Sequence, residues 1–85
     1  MHTRFYFNSE DDHTELDPEG IELADMAHAQ KEALGLLGRM LQDETGDALW
    51  QGKNWRVWVT DAPNGAGHVF FNIQLSATKP TQRTD

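Results

Sequence analysis

Six residues on the predicted strands could together form an aromatic and cationic surface. Successive side chains of a strand point to opposite faces of the sheet, so alternate positions share a face. On this phasing the outward positions include the candidate interaction residues Arg4, Tyr6, Arg56, Trp58, His68 and Phe70. Three aromatic side chains are more than a solvated strand face needs, and an exposed apolar patch of this kind marks an interface.

This candidate face is compatible with more than one role. Aromatic residues with arginine are typical of protein interfaces, which favours a protein partner or a second copy of the chain, as in a homodimer. The same residue types stack bases on the sheets of some RNA-binding modules. They could also simply pair across strands and shield the backbone. Because the net charge is −7, binding to nucleic acid is disfavoured. We expect self-association or a protein partner, with a ligand- or nucleic-acid-binding module as the alternative.

The second candidate is an acidic run, Glu10-Asp11-Asp12-His13, followed by Glu15 and Asp17. Eight of the fourteen acidic residues lie between Glu10 and Asp25, with no lysine or arginine among them. Carboxylates and a histidine can bind cations. However, the spacing of a calcium loop and paired histidines at helical spacing are both missing from the sequence. We therefore expect a solvated loop and no metal site, with a cation or a basic partner as the open alternatives.

Catalysis has little support in the residue pattern. The chain has no cysteine, which excludes a thiol nucleophile, a thiolate metal site and a disulfide. It also contains no nucleophile elbow, no glycine-rich phosphate loop and no His-Glu-x-x-His motif. A small sheet with one helix leaves little room for the concave pocket that most enzymes use. The sequence predicts a non-enzymatic protein without a cofactor.

One amphipathic helix organises the elements that position these residues. The stretch from Asp25 to Gly46 places its apolar residues within an arc of roughly 140° at 100° per residue. These residues are Met26, Ala29, Ala33, Leu36, Leu37, Met40 and Leu41. Asp25 is the predicted N-cap, and Gly46 is the predicted residue that ends the helix. A stripe this wide needs a sheet to pack on.

Alternation and turn residues predict the strands. The segments are Thr3–Asn8, a short return at Thr14–Asp17, a brief extended piece at Ile21–Leu23, then Asn54–Asp61 and His68–Leu75 around a hairpin loop. Asp17-Pro18-Glu19-Gly20 has the residues of a type I turn, so the chain is expected to reverse there. The inward residues are predicted to be Phe5, Phe7, Trp55, Val57, Val59, Val69, Phe71, Ile73 and Leu75.

Together these elements predict a two-layer α+β domain in the order β-β-α-β-β, with one helix on a mainly antiparallel sheet. The domain spans residues 1–76, and residues 77–85 are expected to form a disordered tail. The chain contains no apolar run that approaches the ~20 residues of a membrane span. The N-terminus lacks the apolar stretch of a signal peptide. We expect a cytoplasmic protein.

Three groups of residues resemble a known family of short bacterial proteins. They are Arg-Phe-Tyr-Phe-Asn at 4–8, Leu-Asp-Pro-Glu-Gly-Ile-Glu-Leu-Ala-Asp-Met at 16–26, and Ala29, Glu32 and Ala33. That family opens Arg-Tyr-Phe-Phe, continues Asp-x-x-Gly-x-Glu-Leu-Pro-Asp-Leu, and runs into an alanine-rich helix. It closes with a Val-x-Asp…Gly hairpin, which Val59, Asp61 and Gly65 match here.

Two positions depart from the family pattern, and neither disturbs it much. Ala24 stands where proline is usual, and Met26 stands where leucine is usual. The resemblance covers residues 3–75 approximately, and the stretch from Gly20 to Asp25 is its distinctive part. The family is known only as a domain of unknown function. The resemblance therefore implies a fold and a bacterial cytoplasmic setting, but no activity.

Overall fold

One antiparallel sheet with one helix on it makes up the fold. The computed structural model describes residues 2–11, 13–43, 52 and 54–77. The elements are β1 (Thr3–Glu10), β2 (Thr14–Glu15), β3 (Ile21–Leu23), α1 (Met26–Asp43), β4 (Trp55–Thr60), a 3₁₀ turn (Pro63–Gly65) and β5 (Val69–Leu75). The sheet order is β2-β1-β4-β5, and β3 also pairs with β1. The predicted two-layer α+β architecture is confirmed, with Ile21–Leu23 as a further short strand.

The core lies between α1 and the central strand β4. The inward residues Trp55, Val57 and Val59 are completely buried, as the two-residue alternation of side chains along β4 predicts. They share the core with Phe5, Ala29, Ala33 and Leu37. The alanines on the helix have small side chains, so α1 can approach the large residues of β4 closely. Burial of these apolar side chains is the main stabilising term of so small a domain.

Asp25 begins α1 as its N-cap, which confirms the prediction. Its Oδ1 accepts a hydrogen bond of 2.9 Å from the His28 N–H, and its carbonyl accepts one of 3.2 Å from the Ala29 N–H. The bond from the His28 N–H and a further contact with the His28 ring lower the pKa of Asp25. Within the predicted apolar arc, Met26 and Leu41 are exposed.

Two of the sequence predictions concern segments at or beyond the limits of the described residues. The predicted helix end at Gly46 lies outside the residues that the structure describes. The predicted tail, 77–85, also lies outside them except for Ala77, which packs against the core.

The segment from β2 to β3 runs antiparallel to β1. β2 pairs antiparallel with β1 through Ser9 and Glu15, and β3 pairs antiparallel with β1 through Phe5 and Ile21. β2 and β3 therefore run in the same direction, so the chain does not reverse at 17–20 and that prediction is wrong. The five residues 16–20 instead lie opposite only the three residues 6–8 of β1, so this connection bulges between the two short strands.

A bulge in the β4–β5 pairing overturns the predicted facing of Phe70. Val59 pairs with Phe71 and Thr60 with Val69, which leaves Phe70 as an extra residue between two pairs. An extra residue interrupts the alternation of side chains between the faces. Phe70 consequently packs against the core, with its ring centroid 5.2 Å from that of Phe5. Its outward placement was wrong, and Val69, predicted to point inward, is 46% exposed.

Candidate functional site

The structure divides the six predicted interaction residues among three places. Arg56 and Trp58 lie together on β4, on the sheet face opposite α1. Arg4 and Tyr6 lie on the same face, nearer the start of β1. We call this surface the outer face. His68 and Phe70 are paired elsewhere, with their rings edge to face at 5.8 Å, so the three aromatic residues do not form one patch.

Trp58 lies on the outer face of β4, between β1 and β5. It is paired with Asn8 of β1 on one side and with Asn72 of β5 on the other. The Arg56 guanidinium carbon lies 4.1 Å from the centroid of the Trp58 ring, within the range of a cation–π contact. Glu10, directly opposite Arg56, places its Oε1 3.3 Å from the Arg56 Nε as an ion pair. We refer to Glu10, Arg56, Trp58 and Asn72 as the Trp58 patch.

Arg4 holds the loop between β2 and β3. Its Nη1 donates a hydrogen bond of 2.7 Å to the Glu19 carbonyl and a longer one, of 3.3 Å, to the Gly20 carbonyl. Its Nη2 lies 3.0 Å from Glu22 Oε1 as an exposed ion pair. The Arg4 stem and the Tyr6 ring both lie against Gly20. This end of the outer face is therefore used to hold the chain's own loop.

Two buried polar residues separate Arg4 and Tyr6 from the Trp58 patch. Asn8 and Thr60 point to the outer face, yet both are 0% exposed. The loop after β4 covers them, because Gly65 lies beside Asn8 and against the Leu16 side chain. Asn64, in the same turn, donates a backbone hydrogen bond of 2.8 Å to the Asp17 carbonyl. The hairpin loop and the segment after β2 thus meet above the middle of the sheet.

Asn8 is the centre of the hydrogen-bond network beneath these loops. Its Oδ1 accepts a hydrogen bond of 3.0 Å from the Asp17 N–H. Its Nδ2 donates to the Trp58 carbonyl at 3.2 Å and to Thr60 Oγ1 at 3.3 Å. The Thr60 hydroxyl in turn donates a bond of 3.0 Å to the Ala62 carbonyl. Buried polar groups need such partners, and here one side chain joins β1 to β4 and to the segment after β2.

Asp17 continues the network, and its carboxylate accepts a hydrogen bond from a backbone N–H of β1 in place of a backbone carbonyl. Its Oδ2 accepts a hydrogen bond of 3.0 Å from the Phe7 N–H, and its Oδ1 accepts bonds of 3.0 Å from the N–H groups of Glu19 and Gly20. Partial burial by itself would raise the pKa of Asp17, but these three bonds and the charge of Arg4 outweigh it. The pKa of Asp17 is therefore lower than that of an ordinary aspartate.

Sequence reasoning treated Asp17 as part of a solvated acidic run, and it did not single out Asn8 or Thr60. One local signal was available: an aspartate followed by Pro-Glu-Gly is typical of a turn in which the carboxylate accepts from the next amides. For Asn8 the sequence gives no comparable signal, because its partner Thr60 is 52 positions away.

Gly20 is required by the close approach of β1. Its φ is +70°, and a Cβ added there would lie 2.9 Å from the Phe5 carbonyl oxygen and from Arg4 and Tyr6 side-chain atoms. We expect Gly20→Ala to lower the free energy of unfolding by about 2 kcal/mol, from strain and crowding. Gly38→Ala, a matched control with open space around the added methyl, should raise it by up to ~1 kcal/mol. Urea unfolding of both variants measures this, and equal stabilities would contradict the assignment.

The acidic segment lines a cleft between α1 and the hairpin that β1 and β2 form. The cleft has a volume of about 310 Å³ and is lined by Ser9, Asp11, His13, Glu15, Leu36, Arg39 and Met40. Among the residues that the structure describes, no group of three or more histidines and carboxylates is arranged to hold a metal ion. Within the described part of the chain α1 is the only α-helix, and it is not long and apolar enough to cross a membrane.

Comparison with known proteins gives one match. The model of a family described as a domain of unknown function, DUF6894, matches residues 4–76. The chain therefore belongs to this family. Neither the curated proteins nor the solved structures contain a match.

Proposed function

We propose that this member of a family without an assigned activity is a small, non-enzymatic protein-interaction module that self-associates through its outer face. In this proposal two copies meet at the Trp58 patch, as in a homodimer. The protein would act without a cofactor. We place it in the bacterial cytoplasm, a setting with which the cysteine-free sequence is compatible.

The position of Trp58 carries this proposal. Among the described residues α1 covers only the opposite face of the sheet, so the Trp58 patch has no layer of secondary structure above it. The patch combines a large aromatic ring with an arginine stacked on it at 4.1 Å. Tryptophan and arginine are the residue types that contribute most to binding at protein interfaces. The cation–π contact also holds the arginine flat, which reduces the conformational entropy that binding would cost.

The electrostatics of the outer face favour a protein partner over nucleic acid. Both of its arginines already face carboxylates, Arg4 with Glu22 at 3.0 Å and Arg56 with Glu10 at 3.3 Å. A phosphate would have to displace these partners and approach a chain with a net charge of −7. Self-association through the Trp58 ring leaves both ion pairs in place, because the ring can contact a second copy without displacing a carboxylate. It should also respond little to added salt, whereas phosphate binding would weaken steeply.

The test is the effect of Trp58→Ala on the mass of the assembly. We expect wild type to exceed the 9.6 kDa of one chain, and Trp58→Ala to halve the assembly mass while its circular dichroism spectrum stays that of a folded protein. The matched control is Met26→Ala, an exposed apolar residue in the first turn of α1, which should keep the wild-type mass. Light scattering on the eluting protein measures both. A Trp58→Ala variant with the wild-type mass would overturn the proposal.

A further inference from the structure

We infer that the free edge of β5 is a second self-association surface, which pairs antiparallel with β5 of another copy. This surface is distinct from the outer face and does not depend on the role of Trp58. In the part of the chain that the structure describes, β4 is the only strand paired with β5. A strand at a sheet edge presents unpaired backbone donors and acceptors that another strand can use.

The direction of these backbone groups follows from the hydrogen bonds on the far side of the sheet. The Phe7 N–H is directed to Asp17 and therefore away from β4. Because backbone groups alternate in direction along antiparallel strands, those of Val57 point to β5. Asn72 and Gln74, which lie between the residues of β5 that bond β4, then direct their N–H and C=O groups to the free edge.

The sequence of β5 carries none of the features that protect an edge. Its seven residues, Val-Phe-Phe-Asn-Ile-Gln-Leu, include no charge, no proline and no glycine. Natural edge strands usually carry lysine, proline or a bulge to prevent pairing. The bulge here lies at Val69 and Phe70, which leaves the five residues 71–75 regular. Two copies can approach along this uncharged strand without the repulsion that the net charge of −7 would cause elsewhere.

These five residues are self-complementary, and this identifies a second copy as the occupant. With a two-fold axis at Ile73, Ile73 faces its own copy and Phe71 faces Leu75 on the helix side of the sheet. On the outer side, Asn72 faces Gln74. Apolar residues therefore meet apolar residues and amides meet amides, as the isologous contact of a symmetric dimer requires.

Exposed apolar side chains of α1 extend this surface. Leu34 and Leu41 are 59% and 38% exposed. Leu36 lines the cleft on the β2 side of the helix, and Leu34 lies about 200° from it around the helix axis. Leu34 and Leu41 consequently lie toward β5, where Ile73 and Leu75 are only partly buried. Partly exposed apolar side chains on this side thus come from both the strand and the helix.

The test is the substitution Asn72→Pro, which removes an edge N–H but no bond to β4. Light scattering should show a tetramer for wild type, a dimer for Asn72→Pro, a dimer for Trp58→Ala and a monomer for the double variant. In wild type, the amide hydrogens of Asn72 and Gln74 should exchange slowly with solvent, and in the double variant that of Gln74 should exchange freely. If Asn72→Pro does not fold, Asn72→Lys with Gln74→Lys, which opposes like charges across the pair, should produce the same dimer.

The outcomes separate the two interfaces. An edge variant that keeps the wild-type mass, or edge amides that exchange freely in wild type, would overturn the inference about β5 and leave the proposal for Trp58 untouched. A Trp58→Ala variant with the wild-type mass would overturn the proposed function and leave the β5 edge in place. A wild-type monomer at all concentrations would overturn both.

Discussion

Replacing Asn8 by alanine is expected to lower the free energy of unfolding by about 3 kcal/mol, the largest effect that we predict for a single polar side chain. The substitution removes the hydrogen bonds that the Asn8 side chain makes with the Asp17 N–H, the Trp58 carbonyl and the Thr60 hydroxyl in the buried network. Water would reach these groups only if the loops above them opened. For a domain of this size the midpoint of thermal unfolding should fall by on the order of 15 °C.

Asn72→Ala is the matched control for this variant. Asn8 and Asn72 flank Trp58 on the same face, one in β1 and one in β5. Asn8 is completely buried, whereas Asn72 is exposed. Because its amide is already solvated, Asn72→Ala should change the free energy of unfolding of a single folded chain by less than about 0.5 kcal/mol. Urea unfolding of both variants, at dilutions where light scattering gives the mass of one chain, would separate chain stability from assembly, and equal losses for the two variants would contradict the network.

The second large effect concerns Asp17 and is expected to depend on pH. Asp17→Asn removes the negative charge and replaces one carboxylate oxygen by an NH₂ group, so the acceptor is lost either for the Phe7 N–H or for the N–H groups of Glu19 and Gly20. Loss of these charge-assisted bonds should lower the free energy of unfolding by about 2–3 kcal/mol at neutral pH. Urea unfolding at a series of pH values measures the difference between wild type and variant.

The sign of the pH dependence follows from the lowered pKa of Asp17 in the folded protein. In the unfolded chain Asp17 has an ordinary pKa of about 3.9. Between this value and the lowered pKa, Asp17 therefore binds more protons in the unfolded chain than in the folded protein. The contribution of Asp17 is therefore complete above that value and is lost as the pH falls through the lowered pKa. The gap between wild type and Asp17→Asn should close over this acid range. Glu19→Gln, with an exposed side chain, should follow wild type, and an Asp17→Asn curve parallel to wild type would contradict the assignment.

The parts of the fold that the sequence predicts depend on short-range periodicity. Trp55, Val57 and Val59 occupy every second position of β4, and all three are completely buried on the helix side. Asp25 begins α1 because an N-cap needs only a carboxylate within reach of the next three amides. Such features involve neighbouring residues and can be read directly from a sequence.

The outward placement of Phe70 failed because a bulge is a property of two strands together. Its position depends on how β5 is held against β4, including the hydrogen bond of 2.7 Å that the His68 N–H donates to Asp61 Oδ1. The alternation of side chains along β5 alone does not show where the extra residue lies. The predicted interaction face consequently contained one residue that belongs to the core, and it lost the continuity of its three aromatic rings.

The burial of Asn8 and Thr60 beneath two loops could not be predicted from local sequence patterns either. It forms where the turn at Pro63–Gly65 meets the segment at Asp17, two parts of the chain more than forty residues apart. The division of the outer face into an Arg4 end and a Trp58 end follows from this meeting. Because the Arg4 end holds the chain's own loop, the Trp58 patch is the part of this face that remains for the proposed second copy.

The most direct test of the proposed self-association is the mass of the wild-type protein across a dilution series. Static light scattering from millimolar to micromolar concentration should give a mass that is a multiple of 9.6 kDa and that falls on dilution. Added salt should not dissociate the assembly, because salt screens the contacts of an aromatic ring little and weakens the repulsion between acidic chains. A mass of one chain at every concentration and salt would contradict the account.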